Sequence, residues 1–216
     1  GLATVPNNKT IADFSLVDQN GLPWRFYDQA SPLTLVSFLY THCTDVCPFA
    51  ALTMKLARDK LGDRAKDVRM VAITTDPERD TPATVAAYSA ALHLQEGWTF
   101  LTGSQAQLEP VWRDFGVAVS KTDAHDAEET AKHAGELGLE LPAGHAMTGL
   151  AASLPASEKT LGEQVAGKFG GGYEVTHTVP YLIVDQQGRL LALLGPETTP
   201  AELSDALSKA LEASPQ

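Results

Sequence analysis

Residues 39–50, "LYTHCTDVCPFA", contain both cysteines of the chain and lie where an apolar run gives way to a helical pattern. The preceding residues 33–40, "LTLVSFLY", are almost continuously apolar, which is typical of a buried central strand. From Val46 onward, apolar residues recur at spacings of three and four, which predicts a helix to about residue 61. Cys43 and Cys47 therefore follow the carboxyl end of a predicted strand, where open α/β sheets bind their ligands.

The segments on either side of this stretch predict a mixed α/β architecture. Residues 12–29 alternate in polarity around Asn20-Gly21, which predicts an N-terminal β-hairpin. Thr81-Pro82 predicts a helix start, and Thr199 with Glu202 three residues later predicts a capping box. The other predicted elements are strands over 68–75, 98–103, 117–120, 178–185 and 189–195, and helices over 104–116 and 200–214. This order fits a thioredoxin-like sheet flanked by helices.

Residues 121–172 interrupt the pattern. They are polar and rich in Ala and Gly, with room for one or two short helices. A connection of this length inside a compact domain is usually a functional or mobile loop. We therefore predict a single domain over 1–216, whose core comprises about 12–120 and 173–213 and whose insertion, 121–172, is a mobile loop that is largely dispensable for folding.

Composition excludes several classes of function. The formal net charge of −11 argues against a nucleic-acid-binding face. The chain contains no run of 18 apolar residues that could span a bilayer and no signal-peptide pattern at its start. Two cysteines are too few for a disulfide framework or a four-cysteine zinc site. The pair suits a redox couple or a small metal site that takes further ligands from elsewhere.

Cys43 and Cys47 stand four positions apart. If the helix covers both, their Cβ atoms lie about 5–6 Å apart on one face, close enough for both sulfurs to share a small ion. The same pair could close a disulfide after modest rearrangement, or serve as two buried structural cysteines. As thiolates, the two sulfurs would select soft ions, above all Cu(I).

A third ligand has six histidine candidates, among which His177 is favoured by position. It directly precedes the predicted strand 178–185, which in a thioredoxin-like fold returns beside the dithiol. His42 is adjacent to Cys43 but is expected to point away from it. A further hypothesis is that histidines of the insertion, with Met147, form an accessory copper-collecting lid. The remaining candidates are His93, His125, His133 and His145.

Four segments together resemble the Sco/SenC family of copper chaperones: "YTHCTDVCP" (40–48), "TTDPERDTPATVAAY" (74–88), "FLTGSQAQLEPVWRDFGV" (100–117) and "YEVTHTVPYLIVDQQGRL" (173–190). The resemblance implies a thioredoxin-like fold and one copper ion held by Cys43, Cys47 and His177. It also implies delivery of copper to the binuclear copper centre of cytochrome c oxidase, or reduction of the cysteines there. Members of this family usually sit outside the cytoplasm, in the periplasm for example, on an N-terminal membrane anchor.

Three positions depart from the family pattern. Thr44 replaces a proline inside the cysteine loop, Thr176 replaces an aspartate before the histidine, and Pro180 follows His177 closely. Pro180 is similar to the cis-proline that faces the dithiol of thioredoxins. The alternative function is therefore a thiol–disulfide oxidoreductase, in which Cys43 attacks a partner disulfide and Cys47 resolves the mixed disulfide.

The segment 76–82, "DPERDTP", is predicted to support the site loop, with partner contact and chemistry as alternatives. Asp76, Arg79 and Asp80 could pair across this turn. Trp98, Trp112 and Phe115 are predicted to lie in the core.

Overall fold

The computed structural model describes residues 9–28, 31–122, 147–177 and 179–213. The strands are β1 (Ser15–Val17), β2 (Pro23–Arg25), β3 (Leu33–Leu39), β4 (Val68–Thr74), β5 (Trp98–Leu101), β6 (Val119–Thr122), β7 (Glu174–His177), β8 (Tyr181–Asp185) and β9 (Leu190–Leu194). The helices are α1 (Val46–Asp59), α2 (Pro82–Ala91), α3 (Gln105–Phe115), α4 (Met147–Ala152), α5 (Ala156–Phe169) and α6 (Pro200–Ala213). Short 3₁₀ helices cover Phe26–Asp28 and Gly62–Asp67.

The central sheet has the strand order β5-β4-β3-β8-β9 among the described residues. β3 is its middle strand, pairing in parallel with β4 and antiparallel with β8. All seven residues of β3 are buried, as its apolar sequence predicts. The predicted thioredoxin-like arrangement, a sheet flanked by helices with an N-terminal hairpin, is confirmed.

Alternate residues of β3 enter two separate cores, one on each face of the sheet. Leu33, Leu35 and Leu39 pack with α1, α2, α5 and α6. Val36 and Phe38 pack on the opposite face, with the β1–β2 hairpin and α3. Each core covers one face of the sheet, so the end of β3 is fixed from both sides.

Most of the local predictions are confirmed. Gly21 takes the left-handed backbone (φ 76°) that the β1–β2 turn requires. The Thr81 hydroxyl accepts a hydrogen bond from the backbone N–H of Thr84 and caps α2. The last helix has the predicted capping box, in which Glu202 accepts from the backbone N–H of Thr199 at 2.9 Å. The three residues predicted to be core are all buried; they are Trp98, Trp112 and Phe115.

The predicted insertion 121–172 contains two helices in its second half, in agreement with the one or two short helices expected there. Residues 147–152 and 156–169 form α4 and α5, and α5 packs against α1. The buried residues of α5 are Gly162, Val165 and Ala166, which are so small that the sequence shows no clear apolar stripe. α5 has space to approach because a Cβ on Gly162 would lie 2.6 Å from the ring of Phe49. Residues 123–146 lie outside the described part of the chain.

Candidate metal centre

The two cysteines lie at the junction between β3 and α1. α1 begins at Val46, so Cys43 precedes the helix and only Cys47 belongs to its first turn. The N-cap residue, Asp45, makes no side-chain hydrogen bond to the helix. Instead, the backbone N–H of Cys47 donates to the Cys43 sulfur at 3.4 Å. The Cys43 sulfur thus takes the position of a helix cap, which brings it beside Cys47.

Both cysteines are free thiols and both are buried, with Cys43 at 4% exposure and Cys47 at 0%. The side-chain hydrogen bond from Cys47, helped by backbone N–H groups, lowers the pKa of the Cys43 thiol. Burial raises the pKa of the Cys47 thiol well above its usual range. Of the two thiols, Cys43 therefore loses its proton more readily.

Asp80 supports the strand end that carries the cysteines. Its buried carboxylate accepts from the Thr41 hydroxyl at 2.5 Å, from the Thr41 backbone N–H and from the Thr74 hydroxyl at 2.6 Å. Burial raises the pKa of Asp80 to about 6. The predicted role of 76–82 as support for the site loop agrees with these bonds, which join β3 to the turn after β4.

A second cluster on the same turn centres on Arg79. Its Nε pairs with the buried carboxylate of Asp76, as the sequence predicts, and its Nη1 donates to the Gly171 carbonyl at 2.9 Å. The guanidinium carbon lies 3.7 Å from the centre of the Tyr173 ring. The Tyr173 hydroxyl in turn donates to Asp76 at 2.6 Å. Sequence reasoning missed Tyr173, because no local pattern links residues so distant in the chain.

His177 ends β7, and each of its ring nitrogens faces a backbone carbonyl group. Its Nε2 lies 3.0 Å from the Phe38 carbonyl oxygen and its Nδ1 lies 3.1 Å from that of Val175. The Tyr40 ring packs edge-on against the imidazole, with ring centres 5.4 Å apart. Within the described ranges, no group of three His, Cys, Asp or Glu side chains is poised to hold a metal ion. The structure joins Cys43 to Cys47, and it holds His177 against the Tyr40 ring and the Phe38 carbonyl.

The two ring nitrogens of His177 cannot both make good hydrogen bonds where the imidazole lies. Burial lowers the pKa of His177, which favours the neutral ring. A neutral ring has a single N–H, so it can donate to only one of the two carbonyl oxygens that face its nitrogens. Turning the ring away from them therefore sacrifices at most one good hydrogen bond, and the freed nitrogen lone pair is what a metal ion needs.

The other histidine candidates lie elsewhere. His42 shares a 2.9 Å hydrogen bond with the Thr41 hydroxyl and lies 4.0 Å from Asp80. His93 is exposed after the end of α2. The accessory-lid hypothesis falls outside the described residues, which exclude His125, His133 and His145. The comparison of Pro180 with a cis-proline is wrong, because the described residues contain no cis peptide bond.

Residues 3–163 match the sequence model of the family described as SCO1/SenC, a span that includes both cysteines and ends before His177. The chain belongs to the SCO1/SenC family. An SCO2-like protein from Rickettsia felis is 32% identical over 120 residues, which are 56% of this SCO1/SenC chain and 58% of that relative. The chain thus spans little more than half the length of this relative.

Two solved structures share the fold of this SCO1/SenC chain. The crystal structure of Arabidopsis thaliana ScoI with copper bound aligns with a TM-score of 0.68 at 22% identity, over 94% of this chain and 98% of that one. The structure of BsSco, described with a disulfide switch as a member of the Sco family of cytochrome c oxidase assembly proteins, aligns with a TM-score of 0.62 at 22% identity, over 98% of both chains. Of the helices in the described ranges, none has the length and apolarity needed to cross a membrane.

Proposed function

We propose that this chain binds one copper ion, Cu(I) or Cu(II), through Cys43 and Cys47, with His177 as the third ligand. The observation that carries the proposal is that two buried thiols lie together at the start of α1, where the Cys47 backbone N–H donates to the Cys43 sulfur. Two thiolates form a soft donor set that suits Cu(I), and an added imidazole extends the set toward Cu(II). The copper bound in the structurally similar Arabidopsis ScoI supports this assignment.

The ion is cargo in this proposal. The chain delivers it to the binuclear copper site of cytochrome c oxidase, through the subunit that holds that site, or to another copper protein. Membership of the family and the description of BsSco as a cytochrome c oxidase assembly protein support this role. Release proceeds by exchange of Cys43 and Cys47 for the thiolates of the partner. The protein acts in the periplasm or another extracytoplasmic space, on a membrane anchor.

Copper content in two redox states tests the proposal. Reduced protein is loaded with Cu(I), desalted and assayed for metal, beside protein whose Cys43 and Cys47 have been oxidised to the disulfide. We expect one ion per reduced chain and loss of tight binding in the disulfide form, because both states need the same two sulfurs. Undiminished tight binding by the disulfide form would show that the thiolates are not the ligands.

A thiol–disulfide oxidoreductase is the second candidate, favoured by the opposite pKa directions of the two thiols. The Cys43 thiolate would attack a partner disulfide and form a mixed disulfide, expelling one partner thiolate. Cys47, having lost its proton, would then attack the Cys43 sulfur and release the second partner thiolate. This leaves the partner reduced and the Cys43–Cys47 pair oxidised. Accumulation of the mixed disulfide in Cys47→Ser, and not in Cys43→Ser, would support this reaction.

A further inference from the structure

Residues 170–173, here named the glycine strap, join α5 to β7 and pass directly over the cysteine loop. Gly170 rests on Thr44, the neighbour of Cys43, so closely that an added Cβ would lie 2.3 Å from the Thr44 methyl carbon. Gly171 and Gly172 have φ angles of 120° and 83°, a backbone that other residues rarely adopt. The strap is thus shaped to fit against the loop that carries the first thiol.

Arg79 holds the other side of the strap. Its Nη1 donates to the Gly171 carbonyl at 2.9 Å, and a Cβ on Gly172 would lie 2.9 Å from the same nitrogen. The guanidinium also stacks on the Tyr173 ring, and its Nε is fixed by the buried carboxylate of Asp76. The Arg79 side chain therefore contacts three of the four residues of the strap and connects them to the turn after β4.

The grip of Arg79 is incomplete. Its Nη2 is buried without a hydrogen-bond partner among the described residues. An unpaired buried donor of this kind destabilises the closed arrangement, and moving the strap away would let water satisfy it. The other contacts of Arg79 therefore favour the closed strap, and the unpaired Nη2 lowers the free energy that is needed to open it.

The strap connects to both halves of the proposed site. At one end it lies against the loop of Cys43, whose sulfur is buried together with that of Cys47. At the other end it continues into β7, which terminates in His177 with its ring bonded to backbone carbonyls. Releasing the strap would expose the cysteine loop and loosen the start of the histidine strand in a single motion.

We propose that Arg79 is a positioning residue that keeps the glycine strap closed over the cysteine loop. Closed, the strap shields Cys43 from a partner and holds His177 away from the sulfurs. Open, it makes the thiols and the imidazole available together. This inference deepens the proposed function, yet its first consequence, the reactivity of the thiols, can be measured with no copper present.

The rate of alkylation of Cys43 by iodoacetamide, in the reduced metal-free protein, tests the strap. Arg79→Gln should raise this rate about tenfold, because it removes a charge-assisted hydrogen bond and a stacked cation. The matched control is Arg189→Gln, which breaks another arginine–aspartate pair, to the buried Asp185, at a turn between β8 and β9. The control variant should alkylate at the wild-type rate.

Gly170→Ala opens the strap by a different route, because its Cβ collides with Thr44 and with the Ala166 carbonyl oxygen at 2.5 Å. It should raise the alkylation rate as Arg79→Gln does. Gly167→Ala is its control, since nothing lies within 4 Å of the added Cβ. This pair keeps the test decisive even if Arg79→Gln folds poorly.

Two further readouts separate a strap from a general loss of stability. Opening of a strap exposes little surface, so the raised alkylation rate should hardly change in dilute urea, whereas reaction through global unfolding would climb steeply. In the copper-loaded protein, the nitrogen signature of His177 in the Cu(II) spectrum should develop faster in Arg79→Gln. Wild-type alkylation rates in both opening variants, or a strong urea dependence of the increase, would overturn the inference. If the protein bound no copper but the variants showed the expected alkylation rates, the strap would be supported and the proposed function would be rejected.

Discussion

The cysteine corner between β3 and α1 and the histidine strand β7 differ in how firmly the fold holds them. β3 has a strand on each side and a packed core on each face. Among the described residues, β7 pairs only with β6, in a separate two-stranded ribbon. The sulfur half of the proposed site is therefore built into the central sheet, while the imidazole half belongs to a ribbon outside this sheet and reaches it at the Phe38 carbonyl. If His177 is the third ligand, its ring must leave the Phe38 and Val175 carbonyl groups that face its nitrogens.

The largest effect should follow from breaking the cysteine corner itself. Cys43→Ser or Cys47→Ser should each abolish stoichiometric Cu(I) binding, because one thiolate and one imidazole make a poor soft site. Metal analysis after competition with a Cu(I) chelator measures this. If both single variants kept one tightly bound Cu(I) per chain, the cysteine corner would not be the copper-binding site.

The role of Asp80 beneath the cysteine corner should make the free energy of unfolding depend on pH. The folded pKa of Asp80 is raised by burial to about 6 from a usual value of 3.8, so its contribution is fully present only below pH 3.8 and is lost as pH rises through 6. Relative to Asp80→Asn, the wild-type free energy of unfolding should fall by about 2 kcal/mol between pH 4 and pH 7. Urea unfolding of both reduced, metal-free proteins gives this difference.

The comparison with Asp80→Asn cancels the opposing titration of His42, whose pKa burial lowers. A difference in unfolding free energy that stays constant from pH 4 to pH 7 would mean that the Asp80 carboxyl is not the group that titrates beneath the cysteines.

Removing the movable ligand should have a smaller and more selective effect. His177→Ala should leave Cu(I) on two thiolates but weaken Cu(II) binding by about 10–100-fold, since Cu(II) prefers nitrogen donors. Spectroscopic titration with each ion compares the two affinities. His93→Ala serves as a control at an exposed position. Equal Cu(II) spectra in the wild type and His177→Ala would require another third ligand, with His133 and His145 the next to replace.

The smallest expected effects are changes in stability that test whether α5 packs in the same core as the cysteine corner. Gly162→Ala should destabilise the protein by about 1–2 kcal/mol, because its Cβ would meet the buried Phe49 ring at 2.6 Å. Gly167→Ala in the same helix should stabilise it by about 0.5–1 kcal/mol, since alanine favours a helix and the added Cβ meets nothing. Thermal unfolding compares the two. Equal shifts would mean that α5 does not share the core of the cysteine corner.

Elements with strong local signals were the ones that could be predicted. The apolar run of β3 and the turn at Asn20-Gly21 each indicate their structure without reference to distant residues. α5 was not predicted as a long packed helix, because its contact with α1 depends on the absence of a side chain at Gly162. β7 was missed because its partner, β6, lies on the far side of the insertion.

The residues of the candidate site also differ in whether a local sequence pattern could predict their position. The spacing of Cys43 and Cys47 indicated a shared site, and the fold does bring these two residues together. The direction of the His177 ring depends on carbonyl groups of β3 and β7, and the role of Tyr173 depends on contacts with the turn after β4. Such long-range contacts have no local pattern in a single sequence.

The β6–β7 ribbon also bears on how this chain can change length. Thr122 pairs with Glu174 and Val119 with His177, so the two strands form a stem that closes beneath everything between them. The register of this ribbon therefore fixes where His177 lies relative to Val119, whatever the length of chain that joins the two strands. A change in the number of residues between the two strands should leave the position of His177 unchanged as long as the four pairs of the ribbon are kept.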